Sequence, residues 1–562
     1  MTFFERFADA LRTRTGATVF AVLMTLAIVL PGQTSMPPID RDEPRFAQAT
    51  RQMVETGDYV DIRFLDVPRH LQPAGIYWLQ ALSLQAVGDT EVREIWPHRV
   101  PSWLAAIATV LLTWWAGGLL FGRTAGRTAA LMMGTCLIFA YEARIAKIDS
   151  TLCAVTALAQ AMLASAFMAR ERGVKFPAWQ AALFWAALGF GILLKGPVMV
   201  LVTGGTVLGL IAMERRAKWL GMLRPLWGVP LMLAVAAPWY IAIGMATDGQ
   251  FFRTAVGYSV AGKIAGSHQK HGGPIGYHAL LFSAVFWPAS FFAWIAAPYA
   301  WLQRRDAPVR FCLAWIVPAW IVFELSGTKL PHYTLPLLPA VAMLSAAALA
   351  EADGRKWLGR PRLFAAAAVI WMIVALMFTI GIPGMRLGLE QDGSYGELLL
   401  GGFAFVLAAI TLALAADGRT RAALAAMAAT AFLTWTNIFG FVFGKLDHVL
   451  LSPPVMSLVE GTAPCPTSQL ALLEYHEPSL VFLNGSDTKL AFTPEELVAH
   501  FNTDPACAIG LVGDGKRTAF LEAATVAGLK PVELGAVEGV NVNERGERNR
   551  LTLYRANQTG SR

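Results

Sequence analysis

Thirteen apolar runs punctuate the first 443 residues, at 14–32, 98–121, 125–143, 150–170, 178–194, 196–213, 224–245, 276–300, 309–326, 331–350, 363–384, 396–415 and 421–443. Each has roughly the length, about 17–25 residues, at which a helix rising 1.5 Å per residue crosses a hydrocarbon core about 30 Å thick. A chain that is 55% apolar and 15% charged lacks the polar residues to cover a water-soluble surface built from 562 residues. The expected fold class is therefore mainly α and polytopic, with about 13 transmembrane helices. Two pairs, 178–194 with 196–213 and 309–326 with 331–350, are closely spaced, and fusion of either would change the count.

Orientation follows from the short loops. Lys and Arg cluster before the first run and again near 123–127, 170–175, 215–224, 304–310, 355–362 and 419–421, which are alternate connections. Such clusters mark the cytoplasmic side. The N-terminus is expected in the cytoplasm and the C-terminus outside. The net charge of +7 is largely this bias, so no nucleic-acid partner is read from it. The first run is followed by "PGQTSMPP" without an A-x-A-like cleavage site, which favours a retained anchor over a signal peptide.

The outward segments divide the chain into a membrane unit, 1–445, and a small soluble α/β unit, 446–562. Within 33–97, residues 43–56 and 73–88 read as short helices lying in the membrane interface, with Asp42 suited to cap the first of them. A loop or re-entrant hairpin packed on the bundle is the alternative. The segment 246–277 carries Arg253, His268, Lys270 and His271 beside "HGGP". In the tail, 470–475, 479–483 and 507–513 read as strands, 493–502 and 516–528 as helices, and "RLTLYRA" as a closing strand. Cys465 and Cys507 lie there, where an oxidising compartment permits a disulfide.

Polar residues recur at the outer ends of the apolar runs: Asp42 and Glu43, then Glu142, Arg144, Lys147 and Asp149, then Lys195, then Glu324, Lys329, His332 and Tyr333. Ionisable groups at such depth are costly unless paired or wetted, so a functional cavity is the default reading. Bland readings stand beside it: a helix cap for Asp42, a structural ion pair for Arg144 with Asp149, and lysines that reach back to headgroups. The spacing of His268 and His271 is a weak metal signal.

The order "DRDEPRF", "GDYVDIRFL", "QPAGIYW", "ARIAKIDS", "LLKGP" and "SGTKLPHYTLPLLPA" resembles the GT-C glycosyltransferases of the protein-mannosyltransferase-like superfamily, and within it the bacterial lipid A aminoarabinose transferases. The resemblance implies a GT-C fold. It implies transfer of 4-amino-4-deoxy-L-arabinose from undecaprenyl phosphate to lipid A phosphate on the periplasmic face of the bacterial inner membrane, a lipopolysaccharide modification associated with resistance to polymyxin and other cationic peptides. Asp42, Asp149 and Glu43 would be the catalytic acids. Lys195, Lys329, Tyr333, Arg45, Arg63, Tyr77, Arg253 and Lys270 would contact donor or acceptor phosphate. The partners are the lipid-linked donor, lipid A and membrane lipids, with a monomer expected. No cofactor is assigned with certainty; a divalent metal is left open, with Asp42, Glu43, His268 and His271 as its candidate ligands.

One position departs from the family pattern. Gln72 stands where a lysine usually precedes the proline of this motif, so Arg63, Arg69 or a cation from 253–270 would have to replace that phosphate contact. Two other functions remain open at this point: transfer of a different polyprenyl-linked sugar to protein or glycan, and lipid or solute transport. Transport would favour a detectable inverted repeat, and none is evident.

Overall fold

A computed structural model of the chain describes residues 13–39, 41–88, 93–255, 273–351, 358–390, 395–541 and 547–556. Among them, nine helices are long and apolar enough to cross a membrane, including Trp96–Phe121, Asp149–Glu171, Pro225–Ala246 and Tyr395–Ala416. The remaining four expected spans are also helical but shorter or broken. Arg14–Val29 and Val198–Glu214 are short, 125–143 divides between Arg123–Thr135 and Leu137–Glu142, and 276–300 between Tyr277–Val285 and Ser290–Leu302. The 331–350 run starts as a tight 3-10 turn, Pro331–Leu337, before its helix Leu338–Ala350.

The two ends of the bundle differ. At one, Arg170 and Arg310 converge on Glu214, the latter pair at 2.7 Å, which brings together the ends of three helices. These are connections whose charge pattern assigned them to one common side. Asp149 is the opposite end of the first of these helices, Lys195 closes the helix just before the start of the second, and the Pro331–Leu337 turn follows the end of the third.

Two helices outside the spans roof that second end. Asp42–Thr56 buries most of its length, Gly75–Val87 packs against it, and a two-strand hairpin, β1 (Arg63–Phe64) and β2 (Val67–Pro68), joins them. The first of these helices, expected in the membrane interface, packs between the bundle side and the tail. Gly75 permits a close approach, since a Cβ there would stand 2.7 Å from the Leu193 carbonyl oxygen, beside Lys195. The predicted Asp42 cap is not formed. Asp42 is already the first helical residue, and Arg41 before it has helical backbone angles and no side-chain capping bond.

The tail is a five-stranded sheet in the order β4-β3-β5-β7-β6. The strands are β3 Leu470–Leu473, β4 Lys489–Ala491, β5 Ile509–Gly513, β6 Val532–Asn541 and β7 Glu547–Arg555. β3 pairs parallel with β4 and β5, while β7 runs antiparallel to β5 and β6. β3 is buried on both faces: Leu470 and Leu472 pack with Val455 and Leu480, Ala471 and Leu473 with Leu497 and Phe520. Helices cover both sides, which is why its sequence is a continuous apolar run.

Residues 479–483, expected as a strand, form the helix Pro478–Asn484. Pro478 opens that helix, a position where proline loses no hydrogen bond. Its buried Phe482 enters the bundle side, with the Arg51 guanidinium 4.5 Å over its ring, the His98 ring edge-on at 5.5 Å and its carbonyl accepting from Arg51 at 2.8 Å. A short apolar run bounded by turn residues reads equally as strand or helix, and this tertiary contact decided it.

Cys465 and Cys507 are joined in a disulfide across 42 residues of sequence. Closing a loop of that size restricts the unfolded chain and stabilises the fold by about 2–4 kcal/mol. Replacing both with Ala should therefore lower the urea midpoint of the tail, followed by protease sensitivity of the full-length protein in nanodiscs. An unchanged midpoint would mean that the bond adds nothing to the native state.

Candidate active site

The polar ends of three helical segments meet. Asp149 is the first residue of the helix Asp149–Glu171, Lys195 the last of Ala178–Lys195, and His332 and Tyr333 sit in the Pro331–Leu337 turn. Lys195 Nζ donates to Asp149 Oδ1 at 2.5 Å and lies 5.7 Å from the centre of the Tyr333 ring. His332 stands between two carboxylates, its Nε2 3.8 Å from Asp149 Oδ2 and its Nδ1 3.5 Å from Glu142 Oε1. Lys147 Nζ approaches the same Glu142 oxygen at 3.8 Å. All of these groups are buried or nearly so, and charge is tolerated at that depth only with opposite charge beside it.

The group opens into a cavity of about 450 Å³. One part of its lining is polar, with Asp149, Lys195, His332, Tyr333 and Gln72; much of the rest is apolar, including Leu152, Leu201, Phe251, Val322 and Phe323. Lys195 is the single Lys or Arg among the described lining residues. The shape and chemistry suit a molecule with an anionic head and a long hydrocarbon tail.

The acidic pair of the first outer loop divides in two. Glu43 is fully buried and saturated: it accepts from the backbone N–H of Ile39 and of Ala146, each at 2.8 Å, and from Arg99 at 2.8 and 3.0 Å. Arg99 also donates to the carbonyls of Gln33, Met36 and Pro37. This revises the expectation that Glu43 touches substrate or metal, because its carboxylate is committed to holding the first loop against residues 143–149. Asp42 has a side chain 53% exposed, with Arg45 at 3.9 Å, and is not among the residues lining the cavity. Asp40 lies outside the described residues.

The other expected contacts have varied settings. Tyr77 is fully buried and its hydroxyl accepts from Arg69 Nε at 3.0 Å. Burial, the largest influence, raises the pKa of that hydroxyl. Arg63 is engaged with Asp61 and the Asp66 carbonyl, and Arg253 with the Asp248 carbonyl, each at an exposed site. Lys329 donates to the carbonyls of Gly273 and Ser326 at 2.9 and 3.0 Å, which ties the end of the second outer segment to the bundle. Lys270, His268 and His271 lie outside the described residues. Arg144 does not pair with Asp149; it donates to the carbonyls of Ile28, Pro31 and Ala140 and covers the Phe439 ring.

Glu142 and His332 were noticed as polar residues at helix ends, but nothing in the sequence joined them to each other. Together with Asp149 they form the one group among the described residues whose donor atoms fall within 4.8 Å of one another in a way that could hold a metal ion. Carboxylate and imidazole donors suit a divalent cation, although Lys195 and Lys147 already approach these acids.

Glu43 and Asp42 separate structure from chemistry experimentally. Glu43→Ala strands the Arg99 charge in the interior and should cost about 3–5 kcal/mol, read as a lowered thermal midpoint. Asp42→Ala should stay within about 0.5 kcal/mol of the parent protein, as expected for a surface site. Equal midpoints for the two variants would refute this division.

Comparison with known proteins follows the same geometry. A family model described as dolichyl-phosphate-mannose-protein mannosyltransferase matches residues 71–241. An undecaprenyl phosphate-alpha-4-amino-4-deoxy-L-arabinose arabinosyl transferase of Pseudomonas aeruginosa (strain LESB58) is 28% identical over 314 residues, 55% of each chain. A second such protein, from Pseudomonas fluorescens (strain Pf0-1), is 26% identical over 348 residues, 62% of this chain and 61% of that one. The similarity thus spans little more than half the length of these curated relatives. Among solved structures, ArnT from Cupriavidus metallidurans bound to undecaprenyl phosphate superposes with a TM-score of 0.71 at 19% identity, covering 96% of this chain and 98% of that one. The apo oligosaccharyltransferase of Archaeoglobus fulgidus gives a TM-score of 0.51 at 11% identity, over 90% and 70% of the two chains. By architecture the chain is a multi-pass membrane protein with the GT-C glycosyltransferase fold, in the form it shares with ArnT.

Proposed function

We propose that the chain is a membrane glycosyltransferase that moves 4-amino-4-deoxy-L-arabinose from undecaprenyl phosphate to a lipid A phosphate, at the periplasmic face of the bacterial inner membrane. The observation that carries this reading is the cavity whose head holds Lys195, Asp149 and Tyr333 and whose walls are apolar. A polyprenyl phosphate sugar has that same division between charged head and hydrocarbon tail. The named activity of the relatives and the fold shared with ArnT support it. The catalytic unit is 1–445, the tail 446–562 lies outside, and the chain acts as a monomer.

In the reaction, an oxygen of the acceptor phosphate forms a bond to the anomeric carbon as the bond from that carbon to the undecaprenyl phosphate oxygen breaks. The bonding pair leaves with the polyprenyl phosphate. The acceptor phosphate is already ionised near neutral pH, so no strong base is needed to generate the nucleophile. Lys195, held on Asp149, neutralises the charge that develops on the leaving phosphate, and the Tyr333 hydroxyl donates to it. Asp149, which lines the cavity, faces the positive charge that develops at the anomeric centre of the sugar. A divalent cation, where one is used, would be held by Glu142, Asp149 and His332 and would add positive charge at the same end.

Lys195→Gln should lower kcat by about 10²–10³, the usual cost of removing one preorganised donor to a developing anion, while the thermal midpoint and membrane insertion are kept. Asp149→Asn should do the same. The readout is transfer from labelled donor, with lipid and protein products separated. Label in protein would replace lipid A by a protein acceptor. Normal turnover in both variants would end the assignment of the cavity. Mass analysis of lipid A from cells with and without the chain should show an added aminopentose only where the chain is present.

A further inference from the structure

His332 and Tyr333 sit in the short 3-10 turn Pro331–Leu337, where Pro331 and Pro336 have no backbone N–H to donate. The place of that turn beside Lys195 therefore depends on its neighbours. One of them is the helix Tyr277–Val285, none of whose residues lines the cavity.

His278 stands in the first turn of that helix and is buried. Its Nε2 lies 3.2 Å from the carbonyl oxygen of Leu330. A carbonyl can only accept, so Nε2 carries the proton and donates. The same carbonyl accepts the backbone N–H of Tyr333 at 3.1 Å. His278 thus binds the oxygen on which the turn begins to fold. Its ring also lies stacked against Tyr333, the planes 26° apart and the centroids at 6.4 Å, and edge-on to Trp320 at 6.5 Å. Phe323 meets the Tyr333 ring at 6.1 Å.

Glu324 holds the backbone that carries His278. It is the second-last residue of the helix Ala307–Leu325, and its carboxylate accepts from the N–H groups of Gly276, His278 and Ala279 at 3.1, 3.0 and 3.3 Å. The start of a helix leaves such groups without partners, and a carboxylate there also meets the positive end of the helix. His278 Nδ1 has no hydrogen-bond partner among the described residues and stands 3.6 Å from Glu324 Oε1, too far for one. Glu324 therefore fixes the main chain, while the imidazole reaches the turn. Lys329, through the carbonyls of Gly273 and Ser326, adds a second tie between the same two segments.

We propose that His278, set by Glu324, is a positioning residue that fixes the Leu330 carbonyl and the Tyr333 ring, so that the Tyr333 hydroxyl meets the leaving phosphate at Lys195. Neither His278 nor Glu324 lines the cavity, so both act through Tyr333 and not on substrate. The use made of Tyr333 rests on the transfer reading above; its placement rests on the geometry alone.

Two readouts on the full-length protein in nanodiscs test this: the fluorine resonance of 3-fluorotyrosine in place of Tyr333, and turnover of labelled donor. His278→Phe keeps a ring beside Trp320 and Tyr333 but loses the donor. It should displace or broaden the resonance and lower kcat about tenfold with KM within about twofold, as misplacing a group used only in the transition state does. His278→Gln restores a side-chain N–H and should return both readouts most of the way to parental values. In a Tyr333→Phe background, His278→Phe should cost less than about twofold more, because residues acting as one unit are not additive. A parental resonance in His278→Phe overturns the proposal, as does full additivity of its kcat loss with that of Tyr333→Phe. Should His278→Phe fail to fold, Glu324→Gln, which loses one of the two accepting oxygens, should displace the resonance instead, and a parental resonance there overturns the proposal equally. A displaced resonance in His278→Phe together with normal turnover in Tyr333→Phe removes Tyr333 from the transfer reading and leaves the positioning standing.

Discussion

The buried pair of Glu43 and Arg99 holds the outer end of this molecule in register. Both side chains have no exposure to solvent. Such a pair is expensive to bury and stays only because every donor and acceptor finds a partner. Arg99 gathers three carbonyls of the turn after the first helix, and Glu43 answers the N–H groups of Ile39 and Ala146. The Ala146 contact fixes the loop from which Asp149 enters its helix three residues later. Arg144 performs a related task nearby by collecting carbonyls at the end of the first helix. Two loops distant in sequence are thereby set against each other before any ligand arrives.

That fixed frame stands beside the cavity of about 450 Å³ at the outer end of the bundle. At the closed end, Glu214 is shared by Arg170 and Arg310 and the helix ends draw together. At the open end the charges are more numerous but less mutually consumed. Asp149 faces both Lys195 and His332, and Glu142 faces His332 and Lys147. An anion entering beside Lys195 exchanges one partner for another instead of stripping water from an isolated ion, which lowers the cost of bringing a phosphate to that depth.

Hydropathy and charge made the larger plan legible. Runs of apolar residues located the helices, and alternation of Lys and Arg grouped 170 and 310 on one side, the grouping that the convergence of Arg170 and Arg310 on Glu214 reproduces. Asp149, Lys195 and Tyr333 were legible for a related reason: a charge or phenol at the edge of an apolar run is conspicuous. Glu43 was visible too, but its purpose depends on Ala146, 103 residues away, and on Arg99. No local pattern encodes that. His332 was recognisable only as one polar residue in a motif until the fold brought Glu142 and Asp149 to either side of its ring. The 479–483 segment failed as a strand because its Phe482 serves a neighbour outside the sheet, and the period of a five-residue apolar run carries no such information.

Phe482 also links the tail to the Asp42–Thr56 helix. The helix that carries Asp42 and Arg45 is gripped on its tail side by Arg51, which covers the Phe482 ring and bonds its carbonyl, by Gln48 on Ser486 and by Arg41 on Glu477. Burial lowers the Arg51 pKa only to about 10, so it remains cationic near neutral pH and keeps both contacts. The same helix is held on its other side by Glu43 and by Thr50, which bonds Gln80 of the Gly75–Val87 helix. A helix fixed on opposite faces by the bundle and by the sheet cannot shift toward one without straining its bonds to the other. The tail therefore contributes to the position of the first outer acids even though none of its described residues lines the cavity.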